Sequence, residues 1–301
     1  MNTEATPQPI TVSSLICHRD VSMALKCLSS LLANCHEPIQ LQLHDDGSLQ
    51  DEDIELLSQQ LQSPVIIRKQ TADEQMAQVL SKYPAAWKFR QDHVLAKKLL
   101  DCMQFGENEL FAYCDTDIYF FRPFFNPFVL PDDETYALFL KDNIHPYSIR
   151  VRDFFTASDI QIVQHVNAGM LCFQRSLYDL DLIEWFLTKS ILHSKPYLVE
   201  QTLWALLGQK ASCRLWEPSQ LVFMDASVKL TKTVVAGHFV SPSRHLLEQY
   251  TKAGSLHLND APTQIKTIPS KLCRPLDYVW MAAKSEIMRK IEATKPQRAQ
   301  Q

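Results

Sequence analysis

The sequence predicts an α/β domain: a single unit with a mostly parallel central sheet, helices on both faces and an elaborated C-terminal half. Two observations carry this. Over the first 120 residues short apolar runs alternate with stripes at helical spacing, and a strand–helix–strand–helix order points to a parallel sheet covered on both sides. The 301 residues contain no Ser/Gly-rich linker and no internal repeat, which favours one elaborated domain over two independent ones. The boundaries read as a flexible N-terminus (1–9), a domain (10–270) and a basic C-terminal helix and tail (271–301).

The first element is Ile10–Cys17, a buried strand rich in β-branched residues. In Val21–Cys35 the apolar positions 21, 24, 25, 28, 31, 32 and 35 form one helical face. A strand (Ile39–Leu43), a turn (Asp45–Ser48), a helix (Asp51–Leu61) and a strand (Val65–Ile67) follow. A helix over Arg90–Met103 then leads through a turn at Gly106–Asn108 into the apolar strand Leu110–Cys114. Beyond Pro131 the order is less regular, with strands expected at Tyr136–Leu140 and Gly169–Phe173 and helices at Leu177–Leu192 and Leu198–Leu207.

Composition narrows the function. Apolar residues make up 46% and charged residues 21%, so the chain can bury a sizeable core and is not a disordered or low-complexity polymer. A net charge of −4 lacks the basic footprint of a nucleic-acid binder. No stretch approaches the roughly twenty apolar residues that cross a bilayer, and Met1–Ile10 lacks the basic start and apolar run of a signal peptide, so a cytoplasmic location is expected. The eight cysteines include no C-x-x-C pair and read as reduced core residues. Lys271, Arg274, Lys284, Arg289, Lys290, Lys295 and Arg298 against Asp277, Glu286 and Glu292 give the tail +4, while residues 1–270 carry −8. This reads as a solvated terminal helix, with contact to an acidic membrane surface as the alternative.

The strongest local signal is the strand Leu110–Cys114 running into Asp115-Thr116-Asp117. Side chains at i and i+2 of an extended segment point the same way, so the two carboxylates can share one hard cation, Mg²⁺ or Mn²⁺. A pair of turn-forming aspartates is the competing reading. Asp45-Asp46-Gly47-Ser48 closes the second strand as an acidic turn that can cap the helix that follows. Arg90, His93 and Lys97 fall at i, i+3 and i+7, a cationic stripe that suits phosphate or a solvated helix face. Asn167-Ala168-Gly169 precedes a strand, Glu200-Gln201 opens a helix, and Ala236-Gly237-His238 lies late in the domain.

In their order and spacing these segments resemble the nucleotide-sugar-dependent glycosyltransferases of the GT-A (Rossmann-like) fold, families 2 and 8 and their relatives, over about residues 10–245. The resemblance implies a metal-dependent hexosyltransferase that moves a sugar from a nucleoside diphosphate sugar, a UDP-sugar first, to a hydroxyl of a glycan, lipid or small-molecule acceptor. It implies Asp115, Asp117 and His238 as ligands of Mn²⁺ or Mg²⁺. It also implies Asp46, Arg90, Lys97, Asp115, Gly169 and Gln201 as donor-binding residues. Asn167 would position the sugar, and Glu200 would act on the acceptor hydroxyl. The chain departs from family 8 after His238, where Phe-Val-Ser-Pro-Ser-Arg replaces the x-x-G-x-x-K-P-W ending, and the stereochemical outcome stays open. A non-catalytic scaffold of the same fold is the main alternative. A haloacid-dehalogenase-type hydrolase is weaker, because Tyr119 stands where its motif carries Thr or Val.

Overall fold

The computed structural model describes residues 8–106, 108–128, 136–143, 147–149, 151, 161–189, 195–254 and 261–294. The expected N-terminal flexibility falls largely outside these residues, as do the ends of the tail and of the helix expected to reach Leu192. The chain forms β1 (Ile10–Ile16), α1 (Val21–Asn34), β2 (Ile39–Asp45), α2 (Asp51–Gln60), β3 (Val65–Ile67), α3 (Lys69–Val79), α4 (Pro84–Asp92), α5 (Ala96–Gln104) and β4 (Leu110–Cys114). Two short strands, β5 (Ile118–Phe120) and β6 (Phe124–Phe125), follow before the sheet resumes with β7 (Tyr136–Lys141) and β8 (Val166–Gln174). The chain continues through α6 (Leu180–Thr188), α7 (Val199–Leu207), β9 (Ser212–Trp216), β10 (Leu221–Phe223), β11 (Ala236–His238), α8 (Leu247–Gly254), β12 (Thr263–Gln264), β13 (Thr267–Pro269) and α9 (Pro275–Thr294).

Eight strands form the main sheet in the order β13-β9-β7-β8-β4-β1-β2-β3. The pairs β1–β2, β1–β4, β2–β3 and β7–β9 are parallel, and β8 runs antiparallel to both its neighbours. The chain goes outward from β1 through β2 to β3 and then returns to place β4 on the other side of β1. A crevice therefore opens beyond the carboxyl ends of β1 and β4, the position where open α/β sheets bind ligands.

Both faces of the sheet are packed, and β4 shows how. Phe111 and Tyr113 enter one core, while Ala112 and Cys114 enter the other. The first core centres on Trp204, stacked on Phe111 at 6.0 Å and edge-on to Phe173 at 5.2 Å. All eight cysteines are free thiols, five of them buried. A second, three-stranded sheet, β10-β11-β5, sits beside the crevice.

Two expectations need correction. No helix runs from Arg90 to Met103: α4 ends at Asp92, the backbone of His93 is extended, and α5 starts at Ala96. Nor does Asn167-Ala168-Gly169 precede its strand, because β8 begins at Val166. Val166 and Ala168 face the same core as Leu171 and Phe173, so the alternation changes parity at Gly169. The pairing with β7 shifts register at the same place, jumping from Leu140–Asn167 to Phe139–Leu171. The motif is therefore a β-bulge, which re-aims side chains toward the crevice.

Candidate active site

β4 ends at Cys114, and the two carboxylates reach the crevice from a turn, not from an extended segment: Thr116 and Asp117 are turn residues, and the Ile118 N–H points back to the Asp115 carbonyl at 3.4 Å. Asp115 follows the last residue of β4, and its backbone N–H donates to the Gly169 carbonyl at 2.6 Å. Asp117 precedes β5, whose antiparallel pairing with β11 puts His238 opposite Ile118. The Phe239 N–H donates to the Asp117 carbonyl at 2.8 Å, closing the junction. One ligand atom from each of Asp115, Asp117 and His238 lies within 4.8 Å of the others. His238 Nε2 stands 3.1 Å from Asp117 Oδ1 and 4.0 Å from Asp115 Oδ2.

The three residues fit a divalent cation. His238 Nδ1 is buried without a hydrogen-bond partner, and buried Asp117 Oδ1 has only the His238 imidazole beside it, so a carboxylate lone pair is left for a ligand. Two carboxylate oxygens and one imidazole nitrogen suit Mn²⁺, and would serve Mg²⁺ with more oxygen from water or phosphate. Burial by itself would lower the His238 pKa, but the Asp117 and Asp115 charges prevail and raise it. Burial would likewise raise the Asp117 pKa, and His238 and Arg244 more than offset it, so the carboxyl is held below its ordinary value.

Gly169 is the residue that lets this happen. A Cβ there would stand 2.4 Å from His238 Cε1 and 3.0 Å from Asn167 Oδ1, so only hydrogen fits between the bulge and the imidazole.

Two further cations complete the centre, and neither was singled out from the sequence. Lys98, buried on α5, donates to Asp115 Oδ1 at 3.1 Å and lies 3.9 Å from Glu200 Oε1 and 4.6 Å from the Tyr113 ring centroid. Burial opposes its charge, yet Asp115 and Glu200 prevail and raise its pKa. Arg244 donates from Nη2 to Asp117 Oδ2 at 2.8 Å and from Nη1 to Asp20 Oδ2 at 3.1 Å. Tyr113 adds a hydroxyl donated to Asp115 Oδ1 at 2.9 Å. The Lys97-Lys98 pair ahead of the strand and the Arg244 six residues after His238 are the sequence signals for the two cations. The break at His93 resets the helical phase and turns Lys98 toward the site.

The crevice has two compartments that share Leu95, Asp115 and Asp117. The larger, about 530 Å³, is walled by the end of β1 (Leu15–Cys17), by Asp46 and Ser48 after β2, by Tyr113 and by Arg244. The smaller, about 190 Å³, is lined by Lys98, Asn167, Gly169, Glu200, Gln201 and His238 among others. Asn167 Nδ2 donates to Asp142 Oδ2 at 3.1 Å and its Oδ1 accepts the Gly169 N–H at 3.0 Å, while Gln201 Oε1 accepts the Ala168 N–H at 3.3 Å, so both amides brace the bulge. Glu200 opens α7 nearly inaccessible, its Oε1 without a hydrogen bond, and burial pushes its pKa up to about 7.

Asp46 stands on the wall of the larger compartment, but its Oδ1 already accepts from Ser48 N at 2.9 Å and Ser48 Oγ at 2.6 Å. It is not the cap of α2, which starts on a Gln50–Asp53 capping box. Gly47 makes the turn possible with a φ of 108°. Arg90 lines neither compartment. Its guanidinium is buried in a bidentate pair with Asp101 at 2.7 Å, and Nη1 meets Asp73 at 2.7 Å, which makes it a brace across the α4–α5 break. Lys97 also lines neither, and its ammonium donates to the Asp46 carbonyl, steadying the turn.

No protein-family model matches the chain, and no curated protein matches it. Solved structures do. The galactosyltransferase LgtC in complex with donor and acceptor sugar analogs superposes with a TM-score of 0.55 at 10% identity, covering 84% of this chain and 98% of that one. Mouse xyloside xylosyltransferase 1 gives 0.51 at 10% identity over 79% and 99%. The glycosyltransferase GlyE of Streptococcus pneumoniae TIGR4 gives 0.52 at 12% identity over 97% of this chain and 67% of its own. The architecture is thus the GT-A fold that the sequence motifs led us to expect.

Proposed function

We propose that this protein is a metal-dependent glycosyltransferase that takes a sugar from a nucleoside diphosphate donor, a UDP-sugar first, and transfers it to a hydroxyl of a glycan, lipid or small-molecule acceptor. The observation that carries the reading is the Asp115–Asp117–His238 cluster at the junction of a larger and a smaller compartment. The nucleoside enters the larger one beside Asp46. The sugar and the acceptor hydroxyl occupy the smaller one, between Asn167, Gln201 and Glu200. The neighbours of the same fold include galactosyl- and xylosyltransferases, which is in keeping with this class of reaction.

A divalent cation held by Asp115, Asp117 and His238 would supply positive charge to the departing diphosphate. The chain's own residues do the rest. Arg244, at the mouth beside Asp117, can turn its guanidinium to a phosphate, a preorganised countercharge of the kind that lowers barriers most. As the bond from the sugar anomeric carbon to the diphosphate oxygen breaks, its electron pair leaves with the diphosphate and the acceptor oxygen bonds to the same carbon. The acceptor proton goes to Glu200, whose pKa of about 7 suits a base working near neutrality, with the Lys98 ammonium favouring its ionised form. Asn167 and Gln201, braced on the bulge, fix the sugar.

The test is a screen of UDP-, GDP- and CDP-sugars for thermal stabilisation and slow donor hydrolysis, with Mn²⁺, with Mg²⁺ and with EDTA. Stabilisation and hydrolysis by one nucleotide only with metal support the proposal. Nucleotide binding with no hydrolysis or transfer to any acceptor favours the scaffold.

A further inference from the structure

From the C-terminal helix we infer that the protein docks on an anionic lipid surface, with α9 lying in the interface plane. This does not depend on the catalytic reading. The inward side of α9 is anchored: Tyr278 is fully buried, its hydroxyl donates to the Ile149 carbonyl at 2.5 Å, and its ring stacks on Tyr147 at 6.4 Å. Met281 packs in the same core. The outward side is apolar and uncovered. Leu276 is 77% exposed, Trp280 68% and Ile287 56%, and the first two are the most exposed large apolar side chains among the described residues.

These positions, with exposed Ala283, fall at i, i+4, i+7 and i+11 and stay within about 40° of one line along the helix. Scattered exposed apolar residues are ordinary, whereas a continuous stripe opposite the anchored face is not. Exposed Lys284 and Lys290 flank it on either side, Lys290 lying 4.0 Å from Glu286; bases and acids balance three against three within α9, so the excess charge of this end comes from Lys271 and Arg274 before it in the sequence and Lys295 and Arg298 after it. Residues 271–301 carry +4 while the rest of the chain carries −8, so the molecule presents this end to a negative surface and is repelled elsewhere. A second copy is the poorer occupant, because it would set the +4 end of one chain against the +4 end of another. The helix lies on the membrane and does not cross it: no helix among the described residues is long and apolar enough to span. A Trp in the stripe suits the headgroup level, and apolar insertion combined with basic flanks is the physics of interfacial helices.

The experiment is co-sedimentation of the full chain with vesicles of phosphatidylcholine alone and of equimolar phosphatidylcholine and phosphatidylserine. The wild type should bind the mixed vesicles, bind the neutral ones at least roughly tenfold more weakly, and dissociate as salt rises. The triple variant Leu276→Ser/Trp280→Ser/Ile287→Ser should lose at least about tenfold in binding to the mixed vesicles, since each side chain withdraws apolar area from the interface. Should that variant unfold, Lys284→Glu/Lys290→Glu, which leaves the stripe intact, should lose binding to the mixed vesicles and keep the wild-type melting temperature. Failure of the wild type to sediment with anionic vesicles overturns the inference. So does unchanged binding by the variants, or a wild type that is dimeric by light scattering, turns monomeric on loss of the stripe and ignores vesicles.

Discussion

Gly169→Ala tests whether the bulge and the imidazole are mechanically coupled. The added methyl would stand 2.4 Å from His238 Cε1, whereas carbon atoms settle at roughly 3.5–4.0 Å, so the ring must retreat by about 1 Å. It has little freedom to do so, because β11 is paired on both sides, with β5 and with β10. The overpacking should cost about 1–3 kcal/mol of stability. Moving Nε2 away from Asp117 should cost more in function: a misplacement of about 1 Å can lower turnover on the order of 10²-fold. The assay pairs Mn²⁺ titration calorimetry in the presence of UDP with donor turnover and thermal unfolding. The same substitution is then repeated in a His238→Ala background, where the nearest remaining obstacle is Asn167 Oδ1 at 3.0 Å. Most of the stability cost should vanish there, and the difference is the coupling between the two sites. Wild-type metal affinity in Gly169→Ala, or an undiminished cost without the imidazole, would refute the reasoning.

Glu200→Gln should lower kcat by roughly 10²–10⁴-fold with little change in donor KM, and turnover like the wild type removes the base assignment. The same variant has a pH signature. Because burial holds the folded pKa of Glu200 near 7, above the ordinary glutamate value of 4.5, its contribution to stability is fully present below about pH 4 and is lost as pH rises through 7. Glu200→Gln should therefore gain stability over the wild type at about pH 8, by at most on the order of 3 kcal/mol, and little at about pH 5; equal shifts at both would show the burial cost to be wrongly placed. Asp117→Asn should abolish metal-dependent UDP binding in a folded protein, as EDTA should in the wild type, and equal UDP affinity in either case contradicts the metal site. Asp46→Ala should weaken UDP binding and, through the lost turn to Ser48, cost about 1 kcal/mol; a lower melting temperature with unchanged UDP affinity would leave it a turn residue only.

What the sequence disclosed and what it hid divide along the range of the interactions. Val65–Ile67 and Leu110–Cys114 end where expected because apolar runs bounded by turn residues are local signals. The strand before Asp115 marks where the carboxylates stand, but their convergence comes from a turn over Thr116 and Asp117 and from the β5–β11 pairing, neither of which strand periodicity foresees. The break between α4 and α5 had no such marker, since His93-Val94-Leu95 contains neither Gly nor Pro, and it is bridged by a buried Arg90–Asp101 pair that no window reveals. That break misdirected the cationic stripe, giving Arg90 and Lys97 in place of Lys98. The bulge was equally hidden: Asn-Ala-Gly reads as a turn until its neighbour β7 is in place. His238 could be ranked by its position in an ordered set, but its partner strand β5 is three residues long and carries no pattern of its own.

The β5–β11 pairing also sets an order in time. The parallel layer β3-β2-β1-β4 is complete within the first 114 residues, yet Asp115 and Asp117 meet their imidazole and guanidinium partners only after residues 238 and 244 exist. A ribosome-bound chain short of that point holds two neighbouring carboxylates with Lys98 as their nearest cation. Closing a loop of more than a hundred residues is slow and entropically costly, so the parallel layer can settle well before the centre is assembled. On the proposed function, donor cleavage would thus be withheld from nascent or C-terminally truncated molecules, and a ligand that bridges the two carboxylates to His238 would at once clasp the last-formed sheet to the first.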